Sequence, residues 1–331
     1  MSVLRRPRVF PRRRHRPDDE EPLIFAGSAS PKLTAAICRE LGVDLGAGEV
    51  VRFSEGTLFV RVLENVRGRS VYLVQSTVFP TNANFMELLF WIDAFSRASA
   101  DSVTVIVPYF SYAKGDKKDE PRVSIRARVC ADAIEAAGAD RVVTLDLHAS
   151  QIQGFFRIPV DDLYAMPYLC AAIERMGLRN PVVVSPDAGF AKRARRFARR
   201  LGAPLAIADK VREGHDETSE VVEIIGDVAD HDAVVVDDFT ISCGTLAEAA
   251  EELVARGASS VTAAVTHGVF AEGSMERLDR SPIDRLIATD SIETQPVERS
   301  EKVTFISVAP LFAEAITRIH RRESISVLFR E

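Results

Sequence analysis

Two consecutive aspartates, Asp237 and Asp238, follow a run of apolar residues, Ala233–Val236, in the second half of the chain. The small polar residues that come next, from Ser242 to Thr245, precede a helical pattern, where backbone N–H groups and hydroxyls can bind a phosphate. The two carboxylates suit either the hydroxyls of a sugar or a metal ion. A capped turn between a strand and a helix, with both acids in solvent, would explain the same pattern.

A histidine and a third aspartate follow two other apolar runs. His148 comes shortly after Val142–Leu145, and Asp187 comes shortly after Val182–Ser185. If both strand ends converge, these side chains predict a site for a divalent metal, and Mg²⁺ in such a site would keep several of its waters. For the histidine, packing in the protein interior is the alternative.

The elements that position these side chains follow from an alternation of short apolar runs and helical patterns that begins at Leu23. Strands that are apolar on both faces, separated by helices of about ten residues or more, are typical of parallel sheets covered on both sides. Ligands of such sheets bind beyond the carboxyl ends of the strands. The predicted strands are Leu23–Ala26, Val71–Val74, Val103–Val107, Val142–Leu145, Val182–Ser185, Ala233–Val236 and Ser260–Val265. The predicted helices are Pro31–Leu41, Phe85–Phe95, Ile125–Ala137, Pro167–Met176, Gly189–Leu201 and Thr245–Arg256.

The composition is that of a globular protein. With 47% hydrophobic and 27% charged residues among 331, the chain can bury a large core, which excludes disorder as its main state. No apolar run approaches the roughly 18 residues of a membrane span, so the sequence predicts no membrane association. The four cysteines lie far apart without C-x-x-C spacing, which argues against a disulfide framework or a zinc cluster and favours a cytoplasmic location.

Charge is distributed unevenly along the chain. The formal net charge is −6, but residues 1–22 carry seven arginines against four acids, so the remainder carries −9. An acidic body does not favour nucleic acid as a partner. Residues 1–22 are predicted to be a disordered basic tail, with at most a weak contact to nucleic acid or a membrane surface. An arginine-rich targeting presequence is the alternative.

The segment Val143–Phe156, followed by Ile158–Asp161, resembles the central signature of the ribose-phosphate diphosphokinases, or phosphoribosyl pyrophosphate synthetases. Further matches occur in the family's order and spacing at Arg52–Ser54, Ile106–Lys118, Ser185–Gly189, Val236–Thr245 and Thr266–Gly268. The resemblance extends from about Leu23 to Phe329. It implies an enzyme that transfers the β,γ-diphosphoryl group of ATP to the anomeric hydroxyl of ribose 5-phosphate and releases AMP.

The resemblance also implies the architecture. The family has an α/β fold of two phosphoribosyltransferase-type domains, each a mainly parallel sheet flanked by helices. We expect these domains at residues 23–164 and 165–331, with the last helix or tail packing back on the first domain. Because the family's ATP site borrows residues from a neighbouring subunit, the resemblance implies a homo-oligomer.

Matched residue by residue, the resemblance implies a role for each candidate. Mg²⁺ would be held by His148 and Asp187, and the ribose hydroxyls by Asp237 and Asp238. The 5-phosphate would lie on Ser242, Cys243, Gly244 and Thr245. The ATP site would include Phe53, Glu55, Lys114 and Asp116. The mobile catalytic pair would be Lys210 and Arg212, which on the residues alone could equally be loop charges in solvent.

Several expected binding positions depart from the family pattern. Thr57 stands where the family usually has Glu, and Lys114-Gly115 stands where it usually has Arg-Gln. Phe190 replaces a Gly of the diphosphate turn, and Ile241 replaces an Asp of the sugar-phosphate loop. These changes indicate a divergent member and leave open a catalytically impaired or regulatory homologue that binds phosphorylated ligands or active subunits. A phosphoribosyltransferase, which needs no ATP site, is a third hypothesis.

Overall fold

A five-stranded parallel sheet forms the first half of the chain in a computed structural model that describes residues 21–212, 220–293 and 300–329. Its strands are β1 (Leu23–Ala26), β4 (Ser70–Val74), β5 (Ser102–Val107), β6 (Arg141–Leu145) and β7 (Val160–Leu163). They lie in the order β1-β4-β5-β6-β7. A separate antiparallel hairpin, β2 (Gly48–Arg52) and β3 (Leu58–Val62), was not expected from the sequence.

A seven-stranded sheet forms the second half. Its strands are β8 (Pro181–Ser185), β9 (Leu205–Arg212), β10 (Glu220–Ile225), β11 (Asp232–Thr240), β12 (Ser260–Gly268), β13 (Arg285–Thr289) and β14 (Val303–Ile306). They lie in the order β10-β9-β8-β11-β12-β13-β14, and only the pair of β9 with β10 is antiparallel among these described strands. The predicted class, mainly parallel sheets flanked by helices, is confirmed.

Helices cover both sheets, and their ends follow from local chemistry. They are α1 (Pro31–Leu41), α2 (Thr81–Arg97), α3 (Arg126–Ala137), α4 (Met166–Glu174), α5 (Ala191–Leu201), α6 (Gly244–Ala255), α7 (Ser274–Arg280) and α8 (Ala309–His320). Gly42, Gly138 and Gly202 end α1, α3 and α5 in the left-handed conformation that glycine adopts without strain. The described residues also contain short 3₁₀ turns at Ser111–Gly115, Ser150–Phe155 and Ser326–Phe329.

β11 extends beyond the end that its apolar pattern predicts, from Val236 to Thr240. Over this extension it pairs with β12, whereas its pairing with β8 stops at Val235. The backbone of β12 alone therefore holds the extension. The extension carries polar side chains, of which Asp238 and Thr240 are buried, so the apolar pattern ends before the strand does.

One hydrophobic core runs through both halves of the molecule. Helix α8 packs against α1, and the Tyr72 hydroxyl lies 3.5 Å from Nδ1 of His320. Side chains of α1, α4, α5 and α8 share this core. In the described part of the chain, no helix is both long enough and apolar enough to cross a membrane.

Candidate active site

The two sheets meet where β6 and β11 end, and a histidine and an aspartate join them. Nδ1 of His148, in the loop after β6, lies 2.8 Å from Oδ2 of Asp238 in the β11 extension. The carboxylate of Asp238 is only 5% exposed, whereas the imidazole is 43% exposed and faces the cleft. Two candidates that lie 90 residues apart in sequence are therefore in direct contact.

The acid pair Asp237–Asp238 carries strongly perturbed carboxylates. Burial, together with the charge of Asp238, raises the pKa of Asp237 well above its ordinary value, and the charge of Asp187 adds to this rise. Burial also acts to raise the pKa of Asp238, but the hydrogen bond and charge of His148 outweigh it and lower that pKa. The charges of Asp238 and Asp187 thus both act on Asp237, and a bound cation would relieve this repulsion.

The side chains expected to hold a metal ion are few. Asp187 uses Oδ1 to accept the N–H of Phe190 at 2.7 Å, so one oxygen caps the turn before α5. No three His, Cys, Asp or Glu side chains converge as a metal cluster within the described residues. Mg²⁺ typically binds through one or two carboxylates plus phosphate oxygens and water, so this sparse donor set suits it.

Arg193 of α5 stabilises the same region, and we did not identify it from the sequence. Its guanidinium donates to the carbonyls of Leu147 and His148, and its Nη1 lies 3.6 Å from Oδ2 of Asp238. It therefore connects α5 to the loop after β6. A signal was available, because Arg193 lies three residues after Phe190 and four before Phe197, on the apolar face of the helix.

Two buried contacts connect the sheets beneath His148. Asp146, whose φ of 42° is left-handed, accepts the hydroxyl of Thr266 at 2.7 Å and the N–H of Ala165 at 2.9 Å. Nε2 of His267 lies 3.0 Å from the carbonyl of Leu145. These bonds hold β6 against β12, so the loop that carries His148 has a rigid support.

The predicted phosphate cradle lies at the start of α6. The hydroxyls of Ser242 and Thr245 are exposed there, and the guanidinium of Arg277 donates to the carbonyl of Ser242 at 3.1 Å. Cys243 is fully buried, with a left-handed φ of 60°. Its thiol packs in the core, and its N–H donates to the hydroxyl of Thr240 at 3.2 Å.

Lys114 lies in the 3₁₀ turn Ser111–Gly115 near His148, and Asp116 follows that turn. Lys114 lines a solvent-open cavity of about 310 Å³ together with His148 and Phe239. Asp116 accepts a hydrogen bond of 3.0 Å from Nε2 of Gln151, in the turn that follows His148. Lys114 therefore shares a cavity with His148, and Asp116 contacts the turn that follows it.

Phe53 and Glu55 lie elsewhere, at the tip of the β2–β3 hairpin. The ring of Phe53 is 47% exposed and packs against Phe59 at 6.5 Å, and Glu55 is fully exposed. The hydroxyl of Thr57 donates to Glu55 at 2.7 Å, which lowers the pKa of this carboxyl. Neither residue lines the cavities of the cleft.

Lys210 and Arg212 belong to β9 by their backbone, opposite Val222 and Glu220 of β10. Their side chains lie outside the described part of the chain, as do residues 213–219, which follow β9. Residues 1–20 of the predicted basic tail at residues 1–22 are also outside it. The proposed role of the pair therefore stays a prediction.

The structure gives three substituted positions a packing role. Phe190 is 8% exposed and packs in the core, with the guanidinium carbon of Arg193 5.8 Å from its ring centroid, and it also lines the cavity that contains Asp237 and Asp238. Ile241 packs in an apolar cluster with Val78 and Val269. At Gly115, a β-carbon would lie 2.8 Å from Cβ of Arg126, so the Arg126 side chain fills that space.

Family models match most of the described chain. One described as the N-terminal domain of ribose phosphate pyrophosphokinase matches residues 22–138, and another described as the phosphoribosyl synthetase-associated domain matches residues 210–330. Together the two models reach both sheets.

Full-length relatives are similar over nearly all of both chains. Proteins named ribose-phosphate pyrophosphokinase from Rhizobium meliloti (strain 1021) and Wolinella succinogenes are 49% and 46% identical to this chain. Each alignment covers 92% of this chain and 99% or 98% of the relative. The crystal structure of phosphoribosylpyrophosphate synthetase from Mycobacterium smegmatis superposes with a TM-score of 0.86 at 37% identity, covering 92% of this chain and 100% of that one.

Proposed function

The chain belongs to the ribose-phosphate pyrophosphokinase family, and we propose that the cleft between its two sheets transfers the diphosphoryl group of ATP to ribose 5-phosphate. It is an enzyme of the class that transfers phosphorus-containing groups. The observation that carries the assignment of this cleft is the contact of His148 with Asp238, which places the predicted metal and sugar residues side by side.

The pentose is proposed to bind along the β11 extension and the start of α6. Asp237 and Asp238 would accept the ribose hydroxyls, and the N-terminus of α6 with Ser242, Gly244 and Thr245 would bind the 5-phosphate, with a backbone contribution from Cys243. Arg277, bonded to the carbonyl of Ser242, adds a positive charge beside this phosphate.

Magnesium is the cofactor we propose, held by His148 and Asp187 together with substrate oxygens. When bound, Mg²⁺ would neutralise charge on the phosphate oxygens. Arg193 orients the loop of His148, and the carboxylate of Asp238 holds the imidazole by its Nδ1 atom. His148 and Asp238 are thus oriented before substrate binds. Such positioning lowers the barrier of a phosphoryl-type transfer.

In the transfer itself, the anomeric oxygen of ribose 5-phosphate bonds to the β-phosphorus of ATP. The bond from that phosphorus to the oxygen of the α-phosphate breaks with its electron pair staying on AMP, which leaves, and the proton of the anomeric hydroxyl passes to solvent. We propose that Lys210 and Arg212 supply positive charge to the diphosphoryl group during this step. Both come from β9, the strand next to β8 in the same sheet.

A second copy of the chain is proposed to complete the ATP site. Lys114 and Asp116 lie at the cleft, whereas Phe53 and Glu55 lie on an exposed hairpin away from its cavities. Exposed Phe53 and Phe59 give this hairpin an apolar surface that a neighbouring subunit would cover. A homo-oligomer brings the hairpin of one subunit to the cleft of the next.

A cytoplasmic location is also proposed. All four cysteines are free and buried. Burial raises the pKa of the Cys130 thiol to about 11 and of the Cys170 thiol to about 12, which keeps them in the unreactive protonated form.

An assay of the purified chain tests the assignment. It measures the AMP that forms from ATP and ribose 5-phosphate when Mg²⁺ is present. We expect turnover, and we expect His148→Ala and Lys210→Ala to lose most of it while they stay folded. Lys32→Ala, an exposed lysine of α1, is the matched control and should keep the wild-type rate. No turnover above background by folded protein would overturn the assignment of this cleft.

A further inference from the structure

Phe239 has an aromatic ring at the point where the nucleotide and pentose sites meet. Nζ of Lys114 lies 4.2 Å from the centroid of this ring. The imidazole of His148 meets the same ring edge-on, with centroids 5.5 Å apart and planes at 73°. A single side chain therefore contacts a candidate ATP residue and a candidate metal residue.

The backbone of Phe239 is held firmly. It lies within the β11 extension, opposite His267 of β12, and its N–H donates to Oδ1 of Asp238 at 2.9 Å. Because Asp238 also binds His148, the ring is tied to the acid pair through the backbone and through the imidazole. The ring is thus supported by rigid elements.

Lys114 depends on this ring for its position. Its side chain is exposed, and within the described residues its ammonium has no hydrogen bond or ion pair. A lysine side chain has a flexible stem of four carbons, so an ammonium without such a partner would sample many positions. The face of an aromatic ring attracts it and leaves N–H donors free for a ligand.

We propose that Phe239 is a positioning residue that holds the Lys114 ammonium for the nucleotide and so connects the ATP site to the pentose site. This inference rests on the proposed function. The opposite possibility is that the ring withdraws Lys114 from the nucleotide, in which case removal of the ring would improve ATP binding.

Substitutions at residue 239 separate the aromatic face from apolar bulk. Phe239→Leu keeps an apolar side chain but removes the ring, and we expect the KM for ATP to rise about two- to fivefold, the size of an exposed cation–π contact. The KM for ribose 5-phosphate should change less than the KM for ATP. Phe239→Tyr keeps the ring and should restore the KM for ATP. Phe305→Leu, an exposed phenylalanine on β14, is the matched control and should behave as wild type.

A double-mutant cycle tests the link to Lys114. Lys114→Met removes the charge at similar length, and after it Phe239→Leu should raise the KM for ATP no further. Dissociation constants of ATP, measured by calorimetry without ribose 5-phosphate, should follow the same order. An unchanged or lower KM for ATP in Phe239→Leu, or additive effects, would overturn the proposal. Absence of turnover in the wild type would instead count against the proposed function.

Discussion

Asp238 is the residue around which the charges of the cleft are arranged. Its Oδ2 is 2.8 Å from the imidazole of His148 and 3.6 Å from the guanidinium of Arg193. Asp237, next to it, lies near the like charges of Asp238 and Asp187. Adjacent aspartates thus differ in role. Contacts with His148 and Arg193 lower the pKa of Asp238, while Asp237 has a raised pKa and gains most from a bound cation.

At this residue scale, Arg193→Met tests whether the arginine orients the loop of His148. The substitution keeps the apolar stem but removes the bonds to two carbonyls and the charge beside Asp238. We expect kcat/KM to fall about ten- to a hundredfold, since hydrogen bonds to charged groups are typically worth about 1.5–3 kcal/mol. Steady-state kinetics would measure it. Arg195→Met, at an exposed position of the same helix, is the control, and equal kinetics of both variants would refute the role of Arg193.

His267 predicts a pH dependence of stability. Burial lowers its pKa to about 4 from an ordinary 6.5, and the carbonyl of Leu145 accepts the proton on Nε2. As pH falls, the unfolded chain therefore takes up the proton first. The stabilisation by the neutral imidazole is complete above pH 6.5 and is lost progressively as pH falls toward 4.

His267→Gln should remove this dependence. The variant is expected to be less stable than wild type at pH 7.5, and the difference should shrink by on the order of 2 kcal/mol at pH 5. Urea unfolding at the two pH values measures it. A difference of the same size at both would show that the imidazole is not kept neutral by burial.

At the scale of the elements, the 3₁₀ turn Ser111–Gly115 is packed tightly against helix α3. A β-carbon on Gly115 would lie 2.6 Å from Nε and 2.8 Å from Cβ of Arg126, near the start of α3. Contacts this short force the turn or the helix to move. The family usually has Gln at the position of Gly115. In this chain, the side chain of Arg126 occupies the space that a side chain at residue 115 would need.

Gly115→Ala should accordingly destabilise the protein by about 1–3 kcal/mol, because overpacking costs this much in a closely packed region. It should also raise the KM for ATP, since Lys114 belongs to the same turn. Thermal unfolding and kinetics would report both effects. Gly154→Ala is the matched control, because a β-carbon there meets nothing within 4 Å. A variant at Gly115 as stable as this control would contradict the packing argument.

For the whole molecule, a shared ATP site predicts that two inactive variants can complement each other. Glu55→Ala alters only the exposed hairpin, and Asp238→Asn alters only the cleft. In mixed oligomers, some sites would combine an intact hairpin from one subunit with an intact cleft from another.

We expect each variant alone to have low activity, and a mixture refolded together to regain up to about one quarter of the wild-type rate. Assays of AMP formation before and after mixing measure this, and light scattering reports the size of the oligomer. Wild-type activity in a monomer would overturn the shared site. The variants mixed without refolding serve as the control.

The sequence by itself determined the family, half of the described strands and six of the eight described helices, and did not predict β7, β9, β10, β13, β14, α7 or the bounds of α8. Alternating apolar runs and helical patterns predicted seven strands and six helices that the structure contains, with ends shifted by a few residues. These features can be predicted locally, because the pattern of apolar and polar residues within one segment indicates both a buried strand and a helix. The hairpin β2–β3 was missed, since its partly exposed strands alternate weakly.

Only the tertiary structure decided how the site is assembled. The pairing of His148 with Asp238, the support from Arg193, and the ring of Phe239 under Lys114 join residues that are far apart in sequence. These contacts depend on where β8 stops beside β11 and on how the two sheets face each other. The sequence of one segment alone does not indicate that arrangement, because it arises only when the two halves of the chain pack against each other.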